Sequence, residues 1–166
     1  MSLEDVARRA GLSRQTVYRY FPSKGALVDA VVLREEEALI AAVHAAAGLH
    51  DDLAPAIEAA VAVALRAGRE HALLQRLLAT EPESLLPLLT TDSGPVLSAA
   101  RRATAAILAD RLPGAPPVRL ETAADVIARL VVSYVINPPP GPPERSARAL
   151  AELILGGLAC LEGTSG

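Results

Sequence analysis

Residues 2–24 read SLEDVARRAGLSRQTVYRYFPSK, and the fold follows from how this stretch divides into helices. Ser2 can cap a short helix over Leu3–Ala10, with Asp5 three positions on, close to the capping-box pattern. Gly11 follows as a residue that takes positive φ without a Cβ penalty, a common helix ending. Ser13 can then cap a second helix over Arg14–Tyr20, a bond worth about 1 kcal/mol. Pro22 pushes the residue before it out of the α region and ends that helix, and Ser23 starts the next. Two short helices joined by a glycine turn, the second rich in Arg, Gln, Thr and Tyr, form a helix-turn-helix suited to the DNA major groove.

The rest of the chain has a different composition. Of 166 residues, 51% are hydrophobic, enough for a sizeable core, yet only Tyr18, Tyr20, Phe21 and Tyr134 are aromatic. Three of those four lie in the opening stretch, and the remainder is dominated by Ala, Leu and Val, which predicts helices. In residues 1–25, Arg8, Arg9, Arg14, Arg19 and Lys24 outweigh Glu4 and Asp5, giving +3 and leaving −6 for the remainder of a chain whose net charge is −3. A basic head on an acidic body fits a protein that meets phosphate with one end only. Cys160 is the only cysteine, which excludes an intrachain disulfide and predicts a reducing, cytoplasmic setting with Cys160 as a small apolar residue. No signal peptide is legible and no apolar run nears the roughly 18–20 residues of a membrane span, so no membrane contact is expected.

Periodicity lays out the body. Leu27, Val31, Ala38 and Ala42 mark a long helix from Lys24 that Gly48 stops, followed by a polar link at His50, Asp51 and Asp52. Pro55 sits in the first turn of a helix striped by Ile57, Val61, Ala64 and Leu65, which Gly68 is expected to interrupt. A helix over Glu70–Ala79 follows, then a short piece capped by Thr80 with Glu81, Pro82 and Glu83 early in it, and a loop over Thr91–Pro95. Pro95–Leu112 reads as a helix, Pro113–Pro117 as a break, and Leu120–Ile136 as the most regular helix in the chain. Asn137 and Pro138–Pro143 form a stiff connector to a last helix over Glu144–Leu161. The fold class is all-α.

At this point the chain resembles the TetR family of transcriptional regulators. The resemblance rests on Val6-Ala7-Arg8-Arg9-Ala10-Gly11-Leu12-Ser13, Thr16-Val17-Tyr18-Arg19-Tyr20-Phe21-Pro22-Ser23-Lys24 and Ala26-Leu27, with a tail Ala128–Tyr134, a proline link and a last amphipathic helix. A LacI-like head shares an Asp-Val-Ala-x-x-Ala-Gly-x-Ser string, but an α/β sensor domain follows it there, not an all-helical body. The resemblance implies a DNA-binding head over residues 1–23 and an effector-binding and dimerisation body over residues 24–166. It implies that Arg14 and Gln15 face base edges, where Arg suits guanine and Gln suits adenine. Thr16, Tyr18, Tyr20 and Lys24 match positions that hold phosphates, and Val17 and Phe21 match core positions. The family's head has three helices. The helix before the helix-turn-helix is expected to be missing here, leaving Leu3, Val6, Ala7 and Val17 to be covered by the helix after Lys24 and weakening the grip on DNA.

The function expected is a ligand-responsive repressor released from a pseudo-palindromic operator by a small hydrophobic effector; the alternative is a helical binding or dimerisation module that no longer uses DNA. Arg66, His71, Gln75 and Arg76 are the polar candidates for effector contact on otherwise apolar helices. Ile127, Leu130, Val131, Tyr134, Leu150, Ile154, Leu155 and Leu158 are expected at a homodimer interface, where the last two helices of each subunit form a four-helix bundle. Gly156-Gly157 allows close helix approach there. An enzyme is not expected, since no Gly-rich phosphate loop, H-E-x-x-H or G-x-S-x-G string is present. No cofactor and no metal are expected; His44 and His50 lie six residues apart and do not share a helix face.

Overall fold

The computed structural model describes residues 2–80 and 94–162. Among these residues the chain forms eight α-helices and no strand: α1 Leu3–Ala10, α2 Arg14–Tyr20, α3 Lys24–Gly48, α4 Leu53–Glu70, α5 Ala72–Thr80, α6 Gly94–Arg111, α7 Pro117–Ile136 and α8 Pro143–Glu162. The all-α expectation holds. The chain divides into two compact units, residues 1–38 and 39–166. The first contains α1, α2 and the beginning of α3, closed over a small core of Leu3, Ala7 and Val17 with Phe21 and Leu27 against it. None of α1 and α2 reaches the roughly 12–15 residues a lone helix needs, so this shared apolar contact is what holds them.

In the second unit α4 packs on α8 and α7, and α6 packs along α7. The core takes Ile57, Val61 and Leu65 from α4, Leu108 from α6, Ala124 and Ile127 from α7, and Leu150, Ala151 and Ile154 from α8. A second cluster of small residues, Ala47, Ala56 and Ala60 with Ile107, brings the end of α3 close to α4 and α6. Helix α7 starts three residues before its apolar stripe, because Pro117 occupies the first turn, where a missing amide hydrogen costs nothing.

Gly68 does not interrupt α4, which runs on to Glu70. A Cβ at this position would lie 2.6 Å from Val135 Cγ1 and 3.3 Å from both Val135 Cβ and Cγ2. Gly68 is therefore the point where α4 and α7 touch, and the absent side chain is what permits the contact. The corner after it is tied by side chains: Gln75 Nε2 donates to the Gly68 carbonyl at 2.8 Å, and His71 Nδ1 accepts the Leu74 amide at 3.1 Å. Gly68→Leu gains about 1 kcal/mol of helix propensity but overpacks a stiff β-branched neighbour. A net loss of about 2 kcal/mol is expected, with Val135→Ala in the same chain recovering most of it. Thermal melts read both; an unchanged Gly68→Leu melting temperature would show that α4 and α7 do not meet here.

Thr80 is the last described residue of α5, and its hydroxyl donates to the Arg76 carbonyl at 2.8 Å. The short piece expected at Glu81, Pro82 and Glu83 lies outside the described residues. Gly94, expected in a loop, is the first residue of α6.

Among the described residues two arginines, Arg111 and Arg69, make long-range polar ties to the main chain in this unit, and Arg145 makes a local one. Arg111, at the end of α6, has a side chain only 8% exposed. Its Nη2 donates to the Ala47 carbonyl at 2.6 Å and the His50 carbonyl at 2.9 Å, at the C-terminal end of α3, and Nη1 reaches Ile107 O. The Ala47 carbonyl also accepts the His50 amide at 3.1 Å, and a cation suits the negative end of the α3 dipole. Arg69 on α4 donates to Gly141 O at 2.6 Å and Pro139 O at 2.8 Å, and Arg145 donates to Pro140 O at 3.1 Å. The proline connector, poor in amide donors, has its carbonyls satisfied this way. Among the described residues no helix is long and apolar enough to cross a membrane, and no group of three His, Cys, Asp or Glu could hold a metal ion.

Candidate nucleic-acid interface

The opening stretch folds as its capping residues dictate. Ser2 Oγ accepts the Asp5 amide at 3.2 Å while Asp5 Oδ2 accepts the Ser2 amide at 3.0 Å, so the capping box is complete. The Ser2 amide and hydroxyl, with Arg8 beside them, hold the Asp5 carboxyl at about 2, well below its ordinary value. Gly11 takes φ +66°, and the Leu12 amide bonds Ala7 O at 3.0 Å to close the turn. Ser13 Oγ accepts the Thr16 amide at 3.1 Å and lies 2.8 Å from Thr16 Oγ1. Ser23 Oγ accepts the Ala26 amide at 3.0 Å, which sets Lys24 at the first position of α3.

These caps fix the rotation of α2. Val17 is buried on Leu3 and Ala7, so Arg14, Gln15, Tyr18, Arg19 and Tyr20 are left in solvent. Tyr18 is 40% exposed and Tyr20 65%, although the chain has only three tyrosines. The exposure removes Tyr20 from any core role. Thr16 is half-buried beside its cap, and Lys24 is exposed. Two guanidinium groups cover the rings: Arg14 Cζ stands 5.4 Å from the Tyr18 centroid and Arg19 Cζ 5.1 Å from that of Tyr20. Arg14 Nη2 also contacts Glu4 Oε1 of α1 at 2.6 Å. Glu4 and Arg14 are ten residues apart across a turn, a separation that hides the contact from periodicity.

The four polar candidates for effector contact are not brought together at one point. Arg66 is exposed and pairs with Glu144 at 3.6 Å, His71 and Gln75 tie the α4–α5 corner, and Arg76 is exposed. The residues expected at the dimer interface differ in burial. Ile127, Leu150 and Ile154 are buried inside the chain's own core, so they cannot form the free face. Leu130, Val131, Tyr134 and Leu155 are half-buried, and the side chain of Leu158 lies outside the described residues. Among the described residues, the large apolar side chains left in solvent on these helices are Val118 and Val126 on α7 and Leu153 on α8. Leu153 shares a face with Ala149, Gly156 and Gly157, all exposed, at i, i+4, i+7 and i+8. The signal was present in the sequence, since Leu153 falls off the Leu150–Ile154 stripe and beside the glycine pair.

Comparison with known proteins agrees over both units. Residues 1–31 match the family described as "Bacterial regulatory proteins, tetR family", and residues 52–155 match "Bacterial Tetracyclin repressor, C-terminal domain". The chain is 30% identical over 141 residues to the HTH-type transcriptional regulator AlkX of Mycobacterium tuberculosis, a match covering 84% of this chain and 67% of that protein. It is also similar to the crystal structure of the TetR family repressor AlkX from Dietzia sp. strain DQ12-45-1b, implicated in biodegradation of n-alkanes. That likeness has a TM-score of 0.78 at 28% identity and covers 96% of this chain and 87% of the other.

Proposed function

Because this chain belongs to the TetR family of bacterial regulatory proteins, DNA-binding transcription factors and not enzymes, we propose that it is a homodimeric repressor released from its operator by an aliphatic effector. The observation that carries the DNA assignment is the outward face of α2. A buried Val17 leaves two tyrosines, two arginines and a glutamine in solvent on seven residues of helix. Exposing two rings in a protein with four aromatic residues costs burial that the fold could have used, and a phosphate backbone is the partner that this mix of hydroxyl and guanidinium groups fits. Arg14 and Gln15, at the first turn of the helix, read base edges. Thr16, Tyr18, Tyr20 and Lys24 fix the register on phosphates.

Two copies are needed, since successive major grooves on one face of the duplex lie about 34–36 Å apart. The dimer is formed by α7 and α8 through the face of Val126, Leu153, Gly156 and Gly157, with half-buried Leu130 and Leu155 at its margin. The effector is an aliphatic chain. Support comes from the Ala/Leu/Val composition of the body, whose only aromatic residue is Tyr134, and from similarity to a repressor implicated in n-alkane biodegradation. Effector binding acts through α3, which begins in the first compact unit and ends in the second, and it requires different effector affinities for the two states.

A mobility-shift titration of the full chain against duplexes with a randomised 30-base-pair core tests the assignment. Retardation is expected to weaken with salt at a log–log slope of roughly −4, from about two neutralised phosphates per head. Lys24→Ala is expected to flatten the slope by about two, one for each head. No retarded duplex at low salt, or a slope near zero, overturns the DNA assignment. An n-alkane that leaves the selected complex intact overturns the effector class alone.

A further inference from the structure

The Arg14 guanidinium is held from two directions. Glu4 Oε1, on the neighbouring helix, contacts Nη2 at 2.6 Å, and the Tyr18 ring lies 5.4 Å from Cζ one helical turn along. Glu4 itself sits on a helix that is closed at its start by the Ser2–Asp5 capping box and seated by the burial of Leu3 and Ala7. The backbone that carries the carboxylate is thus fixed, and the pair joins a short side chain on a seated helix to an arginine that has four rotatable bonds to order. One contact engages one of five N–H donors and leaves the others for a ligand. As a source of stability the pair is weak, because both groups are substantially exposed. As a restraint on where the fork lies it is effective, since ordering a flexible cation is a large part of what a bidentate base contact costs.

We infer that Glu4 is a positioning residue for base recognition: it sets the Arg14 fork before DNA arrives, so that discrimination at the base pair Arg14 reads depends on a carboxylate that itself reads nothing. The inference rests on the assignment of Arg14 to a base edge. It makes a prediction with two opposite signs. Glu4 is a negative charge on a head that approaches phosphates, so it opposes non-specific binding while supporting specific binding. Removing the charge raises affinity for arbitrary duplex and lowers selectivity at a single position. A residue that merely stabilised α1 would lower affinity for every duplex alike.

The test uses the full chain as wild type, Glu4→Gln and Arg14→Ala, each equilibrated with the randomised duplex pool; the bound and free fractions are sequenced, and a scrambled duplex measures non-specific binding. Circular dichroism confirms that each variant is folded at the assay temperature. Arg14→Ala is expected to erase the preference at one base pair in each half-site. Glu4→Gln is expected to reduce the preference at that same pair about fivefold, leave the other pairs unchanged, and bind the scrambled duplex at least as tightly as wild type. If Arg14→Ala alters the preference and Glu4→Gln does not, or if Glu4→Gln weakens all duplexes equally, the role of Glu4 is refuted and the DNA assignment stands. If Arg14→Ala leaves every preference unchanged, the base-reading role of Arg14 fails, and with it the inference.

Discussion

Leu153→Asp is expected to give a folded monomer, and Ile154→Asp, one residue further along the same helix, an unfolded body. The two side chains point about 100° apart around α8. Leu153 is 66% exposed, beside Gly156 and Gly157, while Ile154 is buried among Ile57, Leu65 and Leu150. A carboxylate at position 153 meets water in the monomer and costs the chain little. On the proposed dimer face it would bring a charge into an apolar contact, after the loss of two leucines worth about 2 kcal/mol each. A carboxylate at position 154 must be desolvated without a partner, which costs several kcal/mol on top of about 2–5 kcal/mol for the lost isoleucine packing. That sum consumes most of the roughly 5–15 kcal/mol by which a domain is stable. Light scattering with circular dichroism separates the outcomes. A Leu153→Asp dimer of wild-type size removes this face from the interface.

The second large effect is expected at Arg111. Methionine there keeps most of the apolar stem but leaves the Ala47 and His50 carbonyls without their charged donor at a site where only 8% of the side chain meets solvent. Hydrogen bonds to charged groups contribute about 1.5–3 kcal/mol each, partly offset by no longer burying the guanidinium. A loss of about 3 kcal/mol follows, lowering the melting temperature by about 10 °C for a chain of this size. Lysine is expected to fall between the two, because a single ammonium lacks the planar fork that spans two carbonyls and Ile107 O together. Hydrogen exchange is expected to quicken first at the end of α3 and in residues 49–52, ahead of the remaining core. A methionine variant that melts with wild type shows that water satisfies those carbonyls equally well.

What the sequence made legible was local. Ser2, Asp5, Gly11, Ser13, Pro22 and Ser23 each act on neighbours within four residues, and each helix end they mark stands where the capping rules put it. Gly68 was misread for the same reason: a glycine that ends a helix and one that admits a neighbouring helix look alike until Val135, 67 positions away, is placed beside it. Apolar periodicity reports that a residue is covered and not what covers it, so Ile127, Leu150 and Ile154 of the expected interface lie in the chain's own core. Periodicity sets Leu153 off the Leu150–Ile154 stripe, and the position of α4 shows that the stripe is covered from within the chain. Arg69, Arg111 and Glu4 carried no pattern, since their partners are distant in the chain or are main-chain atoms.

Main-chain acceptors have a consequence for how this fold can vary. Arg111 grips the oxygens of residues 47 and 50, and Arg69 those of 139 and 141, so neither tie uses a partner side chain, although Gly141, at φ +107°, is itself held to glycine. Substitution at His50 that preserves the turn leaves the bond to Arg111 in place. Across descendants of such a chain, the arginine would persist while its partner positions drift, and no correlated pair of substitutions would record that the two segments touch. Contacts of this kind are silent to methods that infer proximity from paired changes, although they hold the end of α3 and the proline connector in place.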